Sequence, residues 1–143
     1  MTREEKIREV DEALMAGDAA LSALSRAESS LNGARGVGIW DMLGGGFVSG
    51  LLKHSQMDDA QKYVNEANSA LRRFQKELSD INIRIDYGVS FDGITKAFDI
   101  FCDNLLVDAL IQSRIRDTQK NLAQTKQQVQ SAIAMLHNMR SEL

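Results

Sequence analysis

"MDDAQKYVNEANSALRRFQKELSDI", Met57 to Ile81, is the stretch on which the fold turns. Its apolar and small residues fall at Met57, Ala60, Val64, Ala67, Leu71, Phe74, Leu78 and Ile81, in alternating steps of three and four without a charged interruption. A repeat averaging 3.5 residues keeps one stripe of side chains on one helix face and favours knobs-into-holes packing against another helix.

The same rhythm appears on both sides. Upstream it runs through Ile7, Val10, Leu14, Gly17, Leu21, Leu24 and Leu31, with Glu28 as the one charged break. Downstream it runs through Ile115, Thr118, Leu122, Thr125, Val129, Ala132, Leu136, Met139 and Leu143. Small seam residues (Ala60, Ala67, Thr118, Thr125 and Ala132) imply close approach of helices. The partner helices can belong to the same chain, as in an ordinary bundle, or to a second chain in a coiled coil.

Composition supports the helical reading. The chain has 143 residues, no proline, and 43% hydrophobic against 26% charged residues, so it can bury a core and form one domain. Net charge is −3 with no long run of one sign, and the one basic cluster, Arg72, Arg73 and Lys76, reads as a solvated helix face. Nucleic acid is therefore not expected as a partner. A single cysteine, Cys102, excludes an intrachain disulfide and suits a reducing compartment. The charged start "MTREEKIREV" has no apolar region of a signal peptide. The most apolar window, Trp40 to Leu52, is shorter than the roughly 17 to 25 residues of a spanning helix. A cytoplasmic location follows as the expectation.

The expected architecture is an all-α, elongated helical bundle with coiled-coil-like heptad packing over residues 1–143. It comprises a helix over 2–31, a glycine-bearing loop over 32–39, an apolar plus heptad helix over 40–80, an extended connector over 81–90, and a second apolar plus heptad helix over 91–142. The loop rests on Gly33, Gly36 and Gly38. The connector rests on Ile81, Ile83, Ile85 and Tyr87 alternating with Asn82, Arg84 and Asp86, a period of two. Such a segment would lie along the bundle, pair near Gly36 to Ile39, or pair with its copy in a dimer, in that order of preference.

The two apolar plus heptad units align without gaps at an offset of 58, which sets Trp40 on Phe98. "SQMDDAQK" (55–62) then lies on "SRIRDTQK" (113–120), and the heptad seams coincide, which suggests an internal duplication. Ser55 with Asp58 resembles a capping box that would divide the first unit into two helices, whereas Ser113 is followed by Arg116 and lacks that box.

Gly44, Gly45, Gly46 and Gly50 stand in the apolar segment "WDMLGGGFVSGLLKHS" (40–55). They match neither the spacing of a Walker loop nor a dinucleotide-binding turn. Four glycines inside a helix cost about 3 to 4 kcal/mol relative to alanines, which calls for a structural reason. Close packing against the aligned helix from Cys102 to Asp108 is the leading one, ahead of a hinge and of a ligand or membrane-surface role. Candidate close-packing or interaction residues are therefore Trp40, Gly44, Gly45, Gly46, Phe47, Gly50, Asp99, Asp103 and Asp108. Asp99 and Asp103 share a helix face, and carboxylates there can bind a metal or act as acid and base. Ion pairing with Lys53, Arg35 or Arg114 is the preferred reading. His54 and His137 are not preceded by the glutamates of a di-metal bundle, and Cys102 reads as a small buried apolar residue. No catalytic residue, cofactor or metal is assigned.

"WDMLGGGFVSGLLKHSQMDDAQ", "RRFQKELSDINI" and "FDIFCDNLLVDALIQSRI" together resemble an uncharacterised family of bacterial helical proteins. In that family a Trp-Asp-x-Leu-Gly-Gly segment precedes Lys-His-Ser, and a later Phe-Asp-rich helix ends in Gln-Ser-Lys/Arg-Ile. The resemblance covers about residues 35 to 130 and implies a bacterial, cytosolic protein but no activity. This chain departs from the family at Cys102 and Ala109, where the family is more aromatic.

The leading functional expectation is a non-catalytic protein–protein interaction or scaffolding module, as a homodimer or with another protein partner. The alternatives are peripheral membrane or small-ligand binding through residues 40–52 and, last, a metal-dependent enzyme using Asp99 and Asp103.

Overall fold

The computed structural model describes residues 2–40, 46–85, 90–105 and 115–143, and the side-chain surroundings of 2–31, 62–85, 90–103 and 118–143. Among the described residues the chain forms four helices packed together and no strand: α1 (Arg3–Trp40), α2 (Gly46–Arg84), α3 (Asp92–Leu105) and α4 (Ile115–Glu142).

Local chemistry starts the helices. At α1 the Thr2 hydroxyl accepts a hydrogen bond from the Glu5 N–H (3.1 Å), and the Glu5 carboxylate accepts one from the Thr2 N–H (3.2 Å). Two otherwise orphaned backbone donors are thus satisfied reciprocally. At α3 the Ser90 hydroxyl accepts from the Asp92 N–H (3.2 Å), and the Phe91 carbonyl accepts the first helical bond from Thr95 (2.9 Å). Asn82 ties this start to the end of α2. Its carbonyl oxygen accepts from the Phe91 N–H (3.0 Å), and its amide donates to Asp92 (3.1 Å).

Cross-helix contacts give the directions. Glu9 meets Arg84 and Asp11 meets Arg140, so α2 and α4 both run antiparallel to α1. Arg72 meets Asp99 while Asn82 meets Asp92, so α3 runs antiparallel to α2. α1 packs on α2 and α4, and α3 packs on the same two helices. The result is an up-down-up-down arrangement with α1 diagonal to α3.

The core follows the seams. Val64, Ala67, Leu71, Phe74, Leu78 and Ile81 of α2 are buried, as are Leu122, Val129, Ala132, Leu136 and Met139 of α4 with Thr118 and Thr125. On α1, Val10, Leu14, Leu24 and Leu31 are buried, and so is a second stripe at Ala13, Ala16, Ala20, Ala23 and Ala27. The alanine stripe lies one residue before the leucine seam and keeps the same step of three and four. Two adjoining seams widen the apolar arc of α1, which must face two helices at once. Gly17 sits where they converge. A Cβ placed there would lie 3.0 Å from Phe74 Cε1 and Cζ on α2 and 3.0 Å from Ile133 Cγ1 on α4. Phe74 in turn packs on Phe98 of α3, with ring centroids 5.9 Å apart.

Four expectations change. The loop over 32–39 is absent, because α1 continues to Trp40. Gly33, Gly36 and Gly38 each cost a helix about 1 kcal/mol but keep their backbone donors, and no proline removes one. Trp40 consequently ends α1 rather than opening the next helix, which begins at Gly46. Ser55 does not break α2, which is continuous from Gly46 to Arg84; a serine inside a helix costs only about half a kcal/mol, and helix formers flank it on both sides. The connector over 81–90 is helical through Arg84, with the Ile85 N–H donating to the Ile81 carbonyl (2.9 Å). Leu78, Ile81 and Ile85 continue the step of three and four and are buried, whereas Ile83 is 83% exposed. Helix closes each backbone bond locally, and a lone strand would leave them open. Tyr87, Ser113 and the residues between α3 and α4 lie outside the described residues, as does the duplication match across them.

Candidate functional site

The α2–α3 face brings together the two carboxylates singled out by spacing. Asp99 and Asp103 stand one turn apart on α3, and both reach Arg72 on α2. Arg72 Nη1 donates to Asp99 Oδ1 at 2.6 Å and Nη2 donates to Asp103 Oδ1 at 3.1 Å. One guanidinium fork therefore spans one helical turn of acids, a geometry that the point charge of a lysine would not match. The Arg72 pKa is raised by the hydrogen bond it donates to Asp99, with burial working against it. The ion-pairing expectation holds for Asp99 and Asp103, through a base outside the expected set, Arg72. The expected partners Lys53, Arg35 and Arg114 lie among residues whose side chains are outside the described set. The sequence puts Arg72 on a solvated face, because nothing local marks a contact with residues so far along the chain. Arg73 and Lys76, its neighbours in that cluster, are exposed.

The arrangement is chemically quiet. Arg72 sets a fixed positive charge between Asp99 and Asp103, which opposes a cation at the same oxygens. Below them Gln75 Nε2 donates to the Thr95 carbonyl (3.1 Å), extending the polar rail along the α2–α3 seam. Cys102 is fully buried beside this rail, and burial pushes its thiol up to about 11. The expectation of a small buried apolar residue is met. His137 is exposed on α4, as expected for a helix-surface residue.

Of the remaining candidates, Trp40 closes α1, while Gly46, Phe47 and Gly50 lie in the first turns of α2. Their side-chain surroundings are outside the described residues. Gly44, Gly45 and Asp108 fall outside them altogether. Contact between the glycine run and the helix from Cys102 onward is therefore outside the described residues too.

Two further features escaped the sequence reading. Glu9 and Glu12 of α1 converge with Glu77 of α2, each offering an oxygen within 4.8 Å of the others. Burial raises the Glu77 pKa first, and the charges of Glu12, Asp80 and Glu9 raise it further, with Arg73 acting in the opposite direction. Sequence distance hides this cluster, since only the antiparallel register of α1 and α2 creates it. The second feature is a cleft of about 190 Å³ between α3 and α4, lined by Ala97, Ile100, Phe101, Asn121, Gln124, Thr125 and Gln128. Ala97 and Thr125 are small for facing positions, which leaves the space.

No family model, curated protein or solved structure matches the chain. Among the described residues no helix is long and apolar enough to cross a membrane.

Proposed function

We propose that this chain is a non-catalytic protein–protein interaction or scaffolding module that works as a homodimer. The observation that carries the reading is the unbroken seam of α2, where Val64, Ala67, Leu71, Phe74, Leu78 and Ile81 are all buried. The same step of three and four continues in the sequence through Ala60 and Met57. Helix of this kind suits coiled-coil-like packing against a second chain.

An internal duplication accounts for the matched burial of Val64 with Leu122, Leu71 with Val129, Leu78 with Leu136 and Ile81 with Met139. A lone, fully buried thiol suits a reducing, cytoplasmic setting. Sedimentation equilibrium on the full chain tests the reading. The expected mass is twice that of the 15.9 kDa chain, and a monomer throughout the micromolar range overturns the homodimer.

A further inference from the structure

We propose that α3 is a strap hinged on α2, which opens from α4 as a unit while α1, α2 and α4 stay packed. The two sides of α3 are held differently. Toward α2 it has the Arg72 fork to Asp99 and Asp103, the Gln75 bond to Thr95, the Asn82 bonds to Phe91 and Asp92, and the Phe74–Phe98 ring pair. Toward α4 it has the cleft of about 190 Å³, with amide side chains along its α4 wall and the 63%-exposed Ile100 at its edge. Among the described residues α3 does not pack on α1.

The rest of the bundle does not depend on it for connection. α1 packs on α2 and on α4, and Gly17 joins Phe74 to Ile133 without α3. Ion pairs from Glu9 to Arg84 and from Asp11 to Arg140 hold the same three helices. An element with one weakly filled seam, outside the contacts that join α1 to α2 and to α4, is the kind that opens below the global unfolding free energy. Opening the α3–α4 seam uncovers Phe101 and Cys102, both buried in the closed state.

Cys102 is the only thiol in the chain, so its reactivity reports the strap directly. The test measures the rate at which a small aromatic disulfide labels Cys102 in the full chain at increasing urea below the unfolding transition. The urea dependence of an opening scales with the surface it exposes. The expected slope is less than half that of global unfolding followed by circular dichroism. Two variants test the hinge while helical content is kept. Arg72→Ala removes a contact present in both the closed and the open strap and leaves labelling within about twofold; a larger rise overturns the hinge on α2. Ala97→Leu fills the cleft and lowers labelling about fivefold. Labelling with the slope of global unfolding, and unaltered by Ala97→Leu beyond its effect on global stability, overturns the strap.

Discussion

At the residue scale, Gly17 is the position with the least room. Alanine in a helix gains about 1 kcal/mol over glycine, which argues for stabilisation by Gly17→Ala. The added methyl would meet Phe74 and Ile133 at 3.0 Å, and Phe74 is backed by Phe98. Overpacking of such a site costs about 1–3 kcal/mol. Gly17→Ala is therefore expected to lower stability by about 1 kcal/mol in urea unfolding, and Gly17→Leu by considerably more. A stabilised alanine variant would show that Phe74 has room to retreat. Glu77 yields a prediction of opposite sign. Its pKa is raised in the folded state above the ordinary value of 4.5, so the folded chain holds that proton more tightly than the unfolded one. Its contribution favours folding below pH 4.5 and is lost as pH rises through the folded pKa. Glu77→Gln, which removes the charge facing Glu9, Glu12 and Asp80, is expected to raise the melting temperature at pH 7. That advantage over the parent should close below about pH 4, and an equal advantage at pH 3 and pH 7 would remove the charge explanation.

At the element scale, helix ends decide more than helix interiors. Thr2-x-x-Glu5 has the spacing of a capping box and forms one, whereas the similar Ser55-x-x-Asp58 lies inside a continuous helix. A cap operates only where the preceding backbone is free to leave the helix, and nothing before Ser55 obliges it to. The α2–α3 corner depends on one side chain, Asn82. Asn82→Ala leaves the Phe91 N–H without its acceptor and is expected to cost about 1–2 kcal/mol. Amide exchange at the start of α3 should quicken more than exchange in α4; uniform acceleration would show that Asn82 has no special hold on this corner. By contrast Ile83→Lys, one residue on, is expected to change stability by no more than about 0.5 kcal/mol, because Ile83 is 83% exposed. A large loss there would restore the extended reading of residues 81–84. Ile81, Ile83 and Ile85 alternate as in a strand, but Leu78, Ile81 and Ile85 fit the helical step equally well. Only burial separates the two periods.

At the scale of the whole molecule, the layer through Gly17, Phe74, Ile133 and Phe98 connects all four helices. Phe74→Ala is expected to cost about 3–5 kcal/mol and to abolish the cooperative thermal transition near physiological temperature. The surface pairs do much less. Arg140 bonds Asp11 at 2.6 Å across α1 and α4, yet both side chains are nearly half exposed. Arg140→Ala should leave the urea midpoint almost unchanged, with any difference vanishing in high salt. A large effect of Arg140→Ala beside a small one of Phe74→Ala would invert this ranking of packing over charge.

The sequence by itself determined that the chain is helical and which faces of α2 and α4 turn inward, because a step of 3.5 residues is a local property of each helix. It also placed Asp99 and Asp103 on one face and Cys102 in the interior. The alanine stripe of α1 was not legible, since alanine is equally common on exposed helix surfaces and does not announce burial. Nor were the partners across helices. Arg72 meets Asp99 and Asp103, and Glu9 and Glu12 meet Glu77, only after α1, α2 and α3 take their antiparallel register. Periodicity tells a helix where its core lies but not which neighbour fills it. That choice rests on the joint packing of side chains from distant parts of the chain, and only the tertiary structure decides it.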